Sequence, residues 1–132
     1  MITGLGTDIV NIARVEKTLE KFGVRFCNRV FTAAERAELD AYHSDSRAKA
    51  AKAAKIFAAK EAASKALGTG FNQGISWQDI ELGHDELGKP MLHFTGKAAA
   101  RLASTTAGTV QILVSLSDDY PFAQAVVIIE KL

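Results

Sequence analysis

Apolar residues run from Ile2 to Val10, interrupted only by Thr3, Thr7, Asp8 and glycines at positions 4 and 6. This predicts a short buried strand with Asp8 near its end. The period then changes. Ile12, Val15, Leu19 and Phe22 recur at spacings of three and four, so an amphipathic helix is expected from Asn11 to Phe22, and Gly23 can end it. A second helical patch, Val24 to Val30, sets Arg25 and Arg29 four residues apart beside Phe26.

Thr32 stands three residues before Glu35, the spacing of a capping box, and predicts a helix to about His43 that Ser44-Asp45-Ser46 breaks. Ala48 to Ala66 holds ten alanines and five lysines without glycine or proline, which predicts a helix that Gly68-Thr69-Gly70 stops. The second half reads differently. Ile80 and Leu82, then Met91, Leu92 and Phe94, flank Gly83 to Pro90 as a hairpin with a longer loop. A helix follows from Gly96 to about Thr105, and Thr109 to Leu116 with Phe122 to Ile129 form a second strand pair. Helices in the first half and strands in the second predict an α+β fold, and with no repeat or linker residues 1–132 are expected to be one domain.

Composition narrows the function classes. Charged residues make up 23% and hydrophobic ones 48%, which fits a folded soluble protein, and the formal charge of +1 carries no message unless it is unevenly placed. The single cysteine, Cys27, excludes an internal disulfide framework and metal sites built on two or four cysteines, and reads as a small buried apolar residue. No basic start followed by an apolar stretch marks a secretory signal, and no apolar run has the length of a membrane span, so a cytoplasmic protein is expected. The lysine-rich helix raises an RNA-binding reading, which the balanced charge and the absence of an aromatic stacking motif weaken. His43, His84 and His93 show no ligand spacing.

Helical spacing puts Phe57, Glu61 and Lys65 on one line. Such a glutamate and lysine can hold a metal and a phosphate side by side; equally, they can be an exposed pair supporting an alanine helix. Asp8, ending an apolar strand, must be desolvated, capped or bound to something positive, and it or Asn11 can cap the next helix. Together Asp8, Glu61 and the flanking lysines suit magnesium, which takes one or two carboxylates, several waters and the substrate's phosphate oxygens.

Two ordered motifs, Gly4-Leu5-Gly6-Thr7-Asp8-Ile9-Val10 with Ala13-Arg14, and Phe57-Ala58-Ala59-Lys60-Glu61-Ala62 with Ser64-Lys65-Ala66 and Gly68-Thr69-Gly70, resemble the bacterial holo-acyl-carrier-protein synthases. Asp79-Ile80-Glu81, Asp85 with Gly88-Lys89-Pro90, and Val114-Ser115-Leu116-Ser117 extend the resemblance nearly end to end. It implies the 4'-phosphopantetheinyl transferase fold and transfer of the phosphopantetheine arm of coenzyme A to a serine of an acyl carrier protein, in support of fatty acid biosynthesis. It also implies that Asp8 and Glu61 bind magnesium, that Lys65 stabilises phosphate charge, and that Glu61 is the candidate base, directly or through a metal-bound water. Lys60, pointing elsewhere, is expected to be peripheral. Ser64, Gly68, Lys89 and Pro90 are expected near the coenzyme, although a helix stop and a hairpin turn account for the glycine and the loop equally well.

Acyl carrier proteins are acidic, and Arg14, Lys17, Lys21, Arg25 and Arg29 cluster within the first predicted helices, so the resemblance implies carrier docking on Arg14, Arg25, Phe26 and Arg29. An ordinary solvated face is the competing account. A homotrimer with sites completed across subunit boundaries is implied too, and the strand pair at 109–116 and 122–129, apolar on both faces, suits such burial. Two positions depart from the pattern: Ile56 stands where many members carry arginine, and Asp118 where many carry histidine. These departures support a rival reading, a non-catalytic coenzyme A or nucleotide-binding module; Asp8, Glu61 and Lys65 argue against it.

Overall fold

The computed structural model describes residues 1–132, in the order β1 (Ile2–Asn11), α1 (Ile12–Val30), α2 (Ala33–Asp40), α3 (Ser46–Ala66), a 3-10 turn (Trp77–Asp79), β2 (Ile80–His84), β3 (Pro90–Phe94), α4 (Gly96–Thr105), β4 (Val110–Asp119) and β5 (Phe122–Lys131). Both sheets are antiparallel, one of order β1-β5-β4 and one the β2-β3 hairpin. This is the expected α+β architecture. The added feature is that β1 crosses from the helical half to pair with β5, setting Asp8 opposite Ala125.

Helix α3 lies against the inner face of the larger sheet and brings buried alanines, among them Ala58, Ala59, Ala62 and Ala63, onto Ala123, Ala125, Val127 and Ile129. The glycines of β1 allow a close approach there. A Cβ on Gly4 would overlap the carbonyl of Ala66, and one on Gly6 that of Ala62. Two small-residue surfaces therefore set the helix directly on the strand, running opposite to it, so the α3 residues that precede Ala62, Phe57 and Glu61 among them, are held beside the end of β1. The strand is buried on this side only. Leu5 and Ile9, on its outer face, are 65% and 66% exposed, which corrects the expectation of a buried strand.

Local chemistry explains most element boundaries. Asn11 caps α1, its side chain accepting from the Arg14 N–H at 3.1 Å. The two helical patches expected at 11–22 and 24–30 are both formed and follow one another through a kink at Phe22 (φ −129°, ψ 21°), whose backbone is not helical, so the first helix breaks beside Gly23 as expected. Thr32 and Glu35 make a full capping box on α2. Asp45 caps α3 by accepting from the Ala48 N–H at 2.9 Å, so the polar cluster there starts a helix as well as separating two.

Glu35 does more than cap. It is fully buried beside an equally buried Lys60, whose ammonium donates to Oε1 at 2.6 Å, while Oε2 accepts the Leu82 N–H at 2.8 Å. One carboxylate thus ties α2, α3 and β2 together. Lys60 points away from Glu61, as expected, and into the core, so it lines no part of the cavity that Glu61 faces. Burial pulls its pKa below the ordinary lysine value, and the Glu35 charge works against that pull. No buried side-chain nitrogen or oxygen lacks a partner. No helix is long and apolar enough to cross a membrane.

Candidate active site

Asp8 sits near the end of β1 with its side chain only 16% exposed. It does not cap α1, a task Asn11 performs. Instead Asp8 accepts from the Lys65 ammonium at 3.2 Å, and the same ammonium donates to the Thr7 carbonyl at 2.9 Å. The last turn of α3 is thereby tied to β1 by a cation. Glu61, one helical turn earlier, faces the same region, but its carboxylate makes no hydrogen bond or ion pair within the chain: the Lys65 charge goes to Asp8, so the exposed Glu61–Lys65 pair is not formed.

The electrostatics follow from this geometry. Burial pushes the Glu61 carboxyl above the ordinary glutamate value, Asp8 raises it further, and Lys65 opposes both. Two carboxylates therefore share a cavity of about 400 Å3 that Asn11, Arg14, Phe26 and Phe57 help to line. Such a pair is under-neutralised. Nowhere do three or more histidine, cysteine or acidic side chains gather as a complete metal cage. Asp8, paired only with Lys65, and Glu61, without a partner, with room beside them, fit magnesium, which commonly takes one or two protein carboxylates and fills its remaining positions with water and phosphate oxygens.

Other expected residues are distributed differently. Arg14 and Phe26, expected as docking residues, line the same cavity as Asp8 and Glu61, whereas Arg25 and Arg29 lie exposed on the second half of α1. Ser64 is fully buried and its hydroxyl donates to the Glu61 carbonyl at 2.7 Å, so its side chain is spent inside the helix and is not offered to a coenzyme. Gly68 and Gly70, with φ of +83° and +60°, close α3 by donating to the carbonyls of Lys65 and Ser64, and Arg101 from α4 anchors the same turn through the Leu67 carbonyl. Lys89 and Pro90 sit in the β2-β3 hairpin and do not line the carboxylate cavity.

The two departures from the family pattern lie in different surroundings. Ile56 is buried in the core, and Lys55 beside it pairs with Asp118 at 3.3 Å. A larger cavity of about 510 Å3, between α1, α2 and the start of α3, includes Cys27 but neither Asp8 nor Glu61. Burial raises the Cys27 thiol pKa, in keeping with its reading as an apolar residue. Sequence reasoning missed the Thr7 carbonyl, Asn11 and Phe57 as parts of the site. Only Phe57 carried a signal, four residues before Glu61 on the same helical line.

Comparison with known proteins agrees with this arrangement. Residues 4–125 match the family described as the 4'-phosphopantetheinyl transferase superfamily. The holo-[acyl-carrier-protein] synthase of Cereibacter sphaeroides is 53% identical over 98% of this chain and 93% of its own. Among solved structures, the synthase of Neisseria meningitidis superposes with a TM-score of 0.80 at 36% identity, covering 99% of this chain and 100% of that one. The synthase of Bacillus anthracis, solved in complex with coenzyme A (3',5'-ADP), has a TM-score of 0.80 at 33% identity, covering 100% of this chain and 99% of that one. With the carboxylate pair standing on this fold, the chain belongs to the 4'-phosphopantetheinyl transferase superfamily.

Proposed function

We infer that the chain is a holo-[acyl-carrier-protein] synthase: it transfers the 4'-phosphopantetheine of coenzyme A to a serine hydroxyl of apo-acyl carrier protein and releases adenosine 3',5'-bisphosphate. The observation that carries this reading is the Glu61 carboxylate, unpaired and held above its ordinary pKa beside Asp8, in a chain that matches synthases along nearly its whole length. Asp8 and Glu61 hold magnesium, which when bound supplies neutralisation of the diphosphate charge and in-line placement of the reacting groups. Lys65, already fixed by Thr7 and Asp8, presents its remaining donor capacity to phosphate oxygen. Glu61, with its raised proton affinity, accepts the serine proton directly or through water. Retention of Asp8, Glu61 and Lys65 in one place stands against a non-catalytic coenzyme A module on the same scaffold.

The acidic carrier docks on α1, whose Arg14, Lys17, Lys21, Arg25 and Arg29 are all exposed. We further propose a homotrimer of single-domain chains acting in the cytoplasm in fatty acid biosynthesis. Its support is the outer face of the larger sheet, where Leu5, Ile128 and Leu113 are cross-strand neighbours and Ile9 is exposed, an apolar surface suited to burial between subunits. Gly68 and the hairpin residues Lys89 and Pro90 serve the nucleotide, the hairpin reaching it across a subunit boundary. The test is incubation with apo-acyl carrier protein, coenzyme A and magnesium, followed by intact-mass analysis of the carrier. A magnesium-dependent phosphopantetheine adduct is expected; no adduct on any carrier from the same organism overturns the reading.

A further inference from the structure

The second half of α1 is held differently from the first. At Phe22 the backbone leaves helical geometry, and from Val24 to Val30 only about two helical turns remain. Too short to be stable alone, that stretch depends on what its inner side and its ends are fastened to. On the inner side Val30 is buried and Phe26 meets Phe31 edge-on at 5.7 Å. Behind it lies open space, because Gly23, Val24, Cys27 and Asn28 line the cavity of about 510 Å3 between α1, α2 and α3. The far end closes without a left-handed residue: Phe31 is extended (φ −108°, ψ 142°) and its N–H donates to the Cys27 carbonyl. The last carbonyls of a helix have no partner within it, so this end needs a donor from elsewhere.

Gln78 supplies that donor. Its side-chain amide nitrogen lies 2.9 Å from the Phe31 carbonyl oxygen, 3.1 Å from that of Asn28 and 3.4 Å from that of Arg29. The turn that carries it is braced. The Gln78 N–H donates to the Ser76 hydroxyl at 3.1 Å, the Asp79 carboxylate accepts the Ser76 N–H at 3.0 Å, and the Asp79 carbonyl accepts the Thr95 N–H at 2.8 Å. The stretch is thus hinged at Phe22 and latched at its other end to a stiff 3-10 turn. Arg25, Phe26 and Arg29, assigned above to carrier docking, all lie on it. We propose that Gln78 is a positioning residue for the carrier: by capping the free end of α1 it holds these three side chains in the arrangement that the acidic partner meets. The proposal rests on the transferase reading and on docking along α1, and adds to them a residue that acts through the helix. A partner that must first order the surface it binds loses affinity to that ordering, and the latch makes the ordering part of the folded enzyme. Asp8 and Glu61 stand on β1 and α3, apart from the latch, so its loss is felt by the carrier and not by the chemistry.

Gln78→Met keeps the length of the side chain and removes the donor. It is expected to raise KM for apo-acyl carrier protein about fivefold while kcat and the KM for coenzyme A stay within about twofold. Hydrogen exchange is expected to quicken at residues 24–31 and to stay unchanged at 15–21. Because Gln78 is exposed, water takes over the three carbonyls, and the melting temperature should move by a few degrees at most. Arg29→Ala should raise the carrier KM in the wild-type background and raise it less in Gln78→Met, since an arginine on a loosened helix end has less to lose. An unaltered carrier KM in Gln78→Met, or strictly additive effects of the two substitutions, would overturn the proposal. So would an equal rise in both KM values with a collapse in melting temperature, which would make Gln78 a structural cap. Failure of the underlying readings looks different. A wild-type chain that modifies no carrier ends the transferase reading, and carrier KM values unaltered in both Arg25→Ala and Arg29→Ala end the docking reading; either result overturns the positioning role as well.

Discussion

Lys60 and Glu61 are adjacent in the chain and face opposite worlds. Lys60 enters the core and meets Glu35, whose two oxygens are both hydrogen-bonded. Glu61 faces a cavity with no partner of its own and a like charge nearby. In the first place every polar group is satisfied and the result is rigidity, with three elements pinned by one carboxylate. In the second, satisfaction is withheld, and the result is a site that prefers an added cation. One helix serves both purposes because neighbouring residues lie about 100° apart around its axis.

The largest expected effect lies on the buried side. Lys60→Met leaves the Glu35 carboxylate uncompensated in the core and should cost about 3–5 kcal/mol in denaturant unfolding. Adding Glu35→Gln removes the stranded charge while keeping a polar group near Thr32 and Leu82, so the double variant should recover part of that loss. If Lys60→Met costs under about 1 kcal/mol, the pair is not the clasp described here. Glu61→Gln should do the reverse. Transfer falls by about 100-fold or more, because the group that holds the cation and takes the proton is gone. Metal-free stability at neutral pH should hold or rise, since a destabilised charge has been removed. A clear drop in melting temperature would show Glu61 to be structural.

This contrast explains what could be read from the chain and what could not. The capping box at Thr32, the span of α4 and the hairpin around Pro90 follow from short-range rules, and sequence reasoning placed them well. Helix α3 was equally visible as a helix. Its orientation was not, because alanines surround it and leave no polar face to set against an apolar one. That is why the burial of Lys60 and Ser64 escaped notice, the former depending on a glutamate twenty-five residues away. The pairing of β1 with β5 is longer-range still, and with it goes the one-sided exposure of Leu5 and Ile9. Asp8 and Glu61 could be named from motifs, but their shared cavity requires Gly4 and Gly6 to admit α3, a contact that exists only in three dimensions. Gly6→Ala should therefore lower activity together with stability, measured by transfer rate and melting temperature, whereas Glu61→Gln separates them.

The smallest effect, and the finest test of the comparison, is the titration of Glu61 in the metal-free protein. Its proton is held more tightly in the folded chain than in the unfolded one, so the stability it contributes is full below the ordinary glutamate pKa and is lost as pH rises through the raised folded value. Catalysis runs the other way: the ionised carboxylate is required, so transfer should begin to fail on acidification at a higher pH than an ordinary glutamate would dictate. Carboxyl chemical shifts of Glu61 in an isotope-labelled protein separate the causes. Asp8→Asn should move its midpoint down, and Lys65→Met should move it up. Because burial is the largest cause, the midpoint in Asp8→Asn should still lie above that of an exposed glutamate. A midpoint indifferent to both substitutions would mean that Glu61 does not sense the two charges beside it, and the contrast with the fully paired Glu35 would then rest on burial alone.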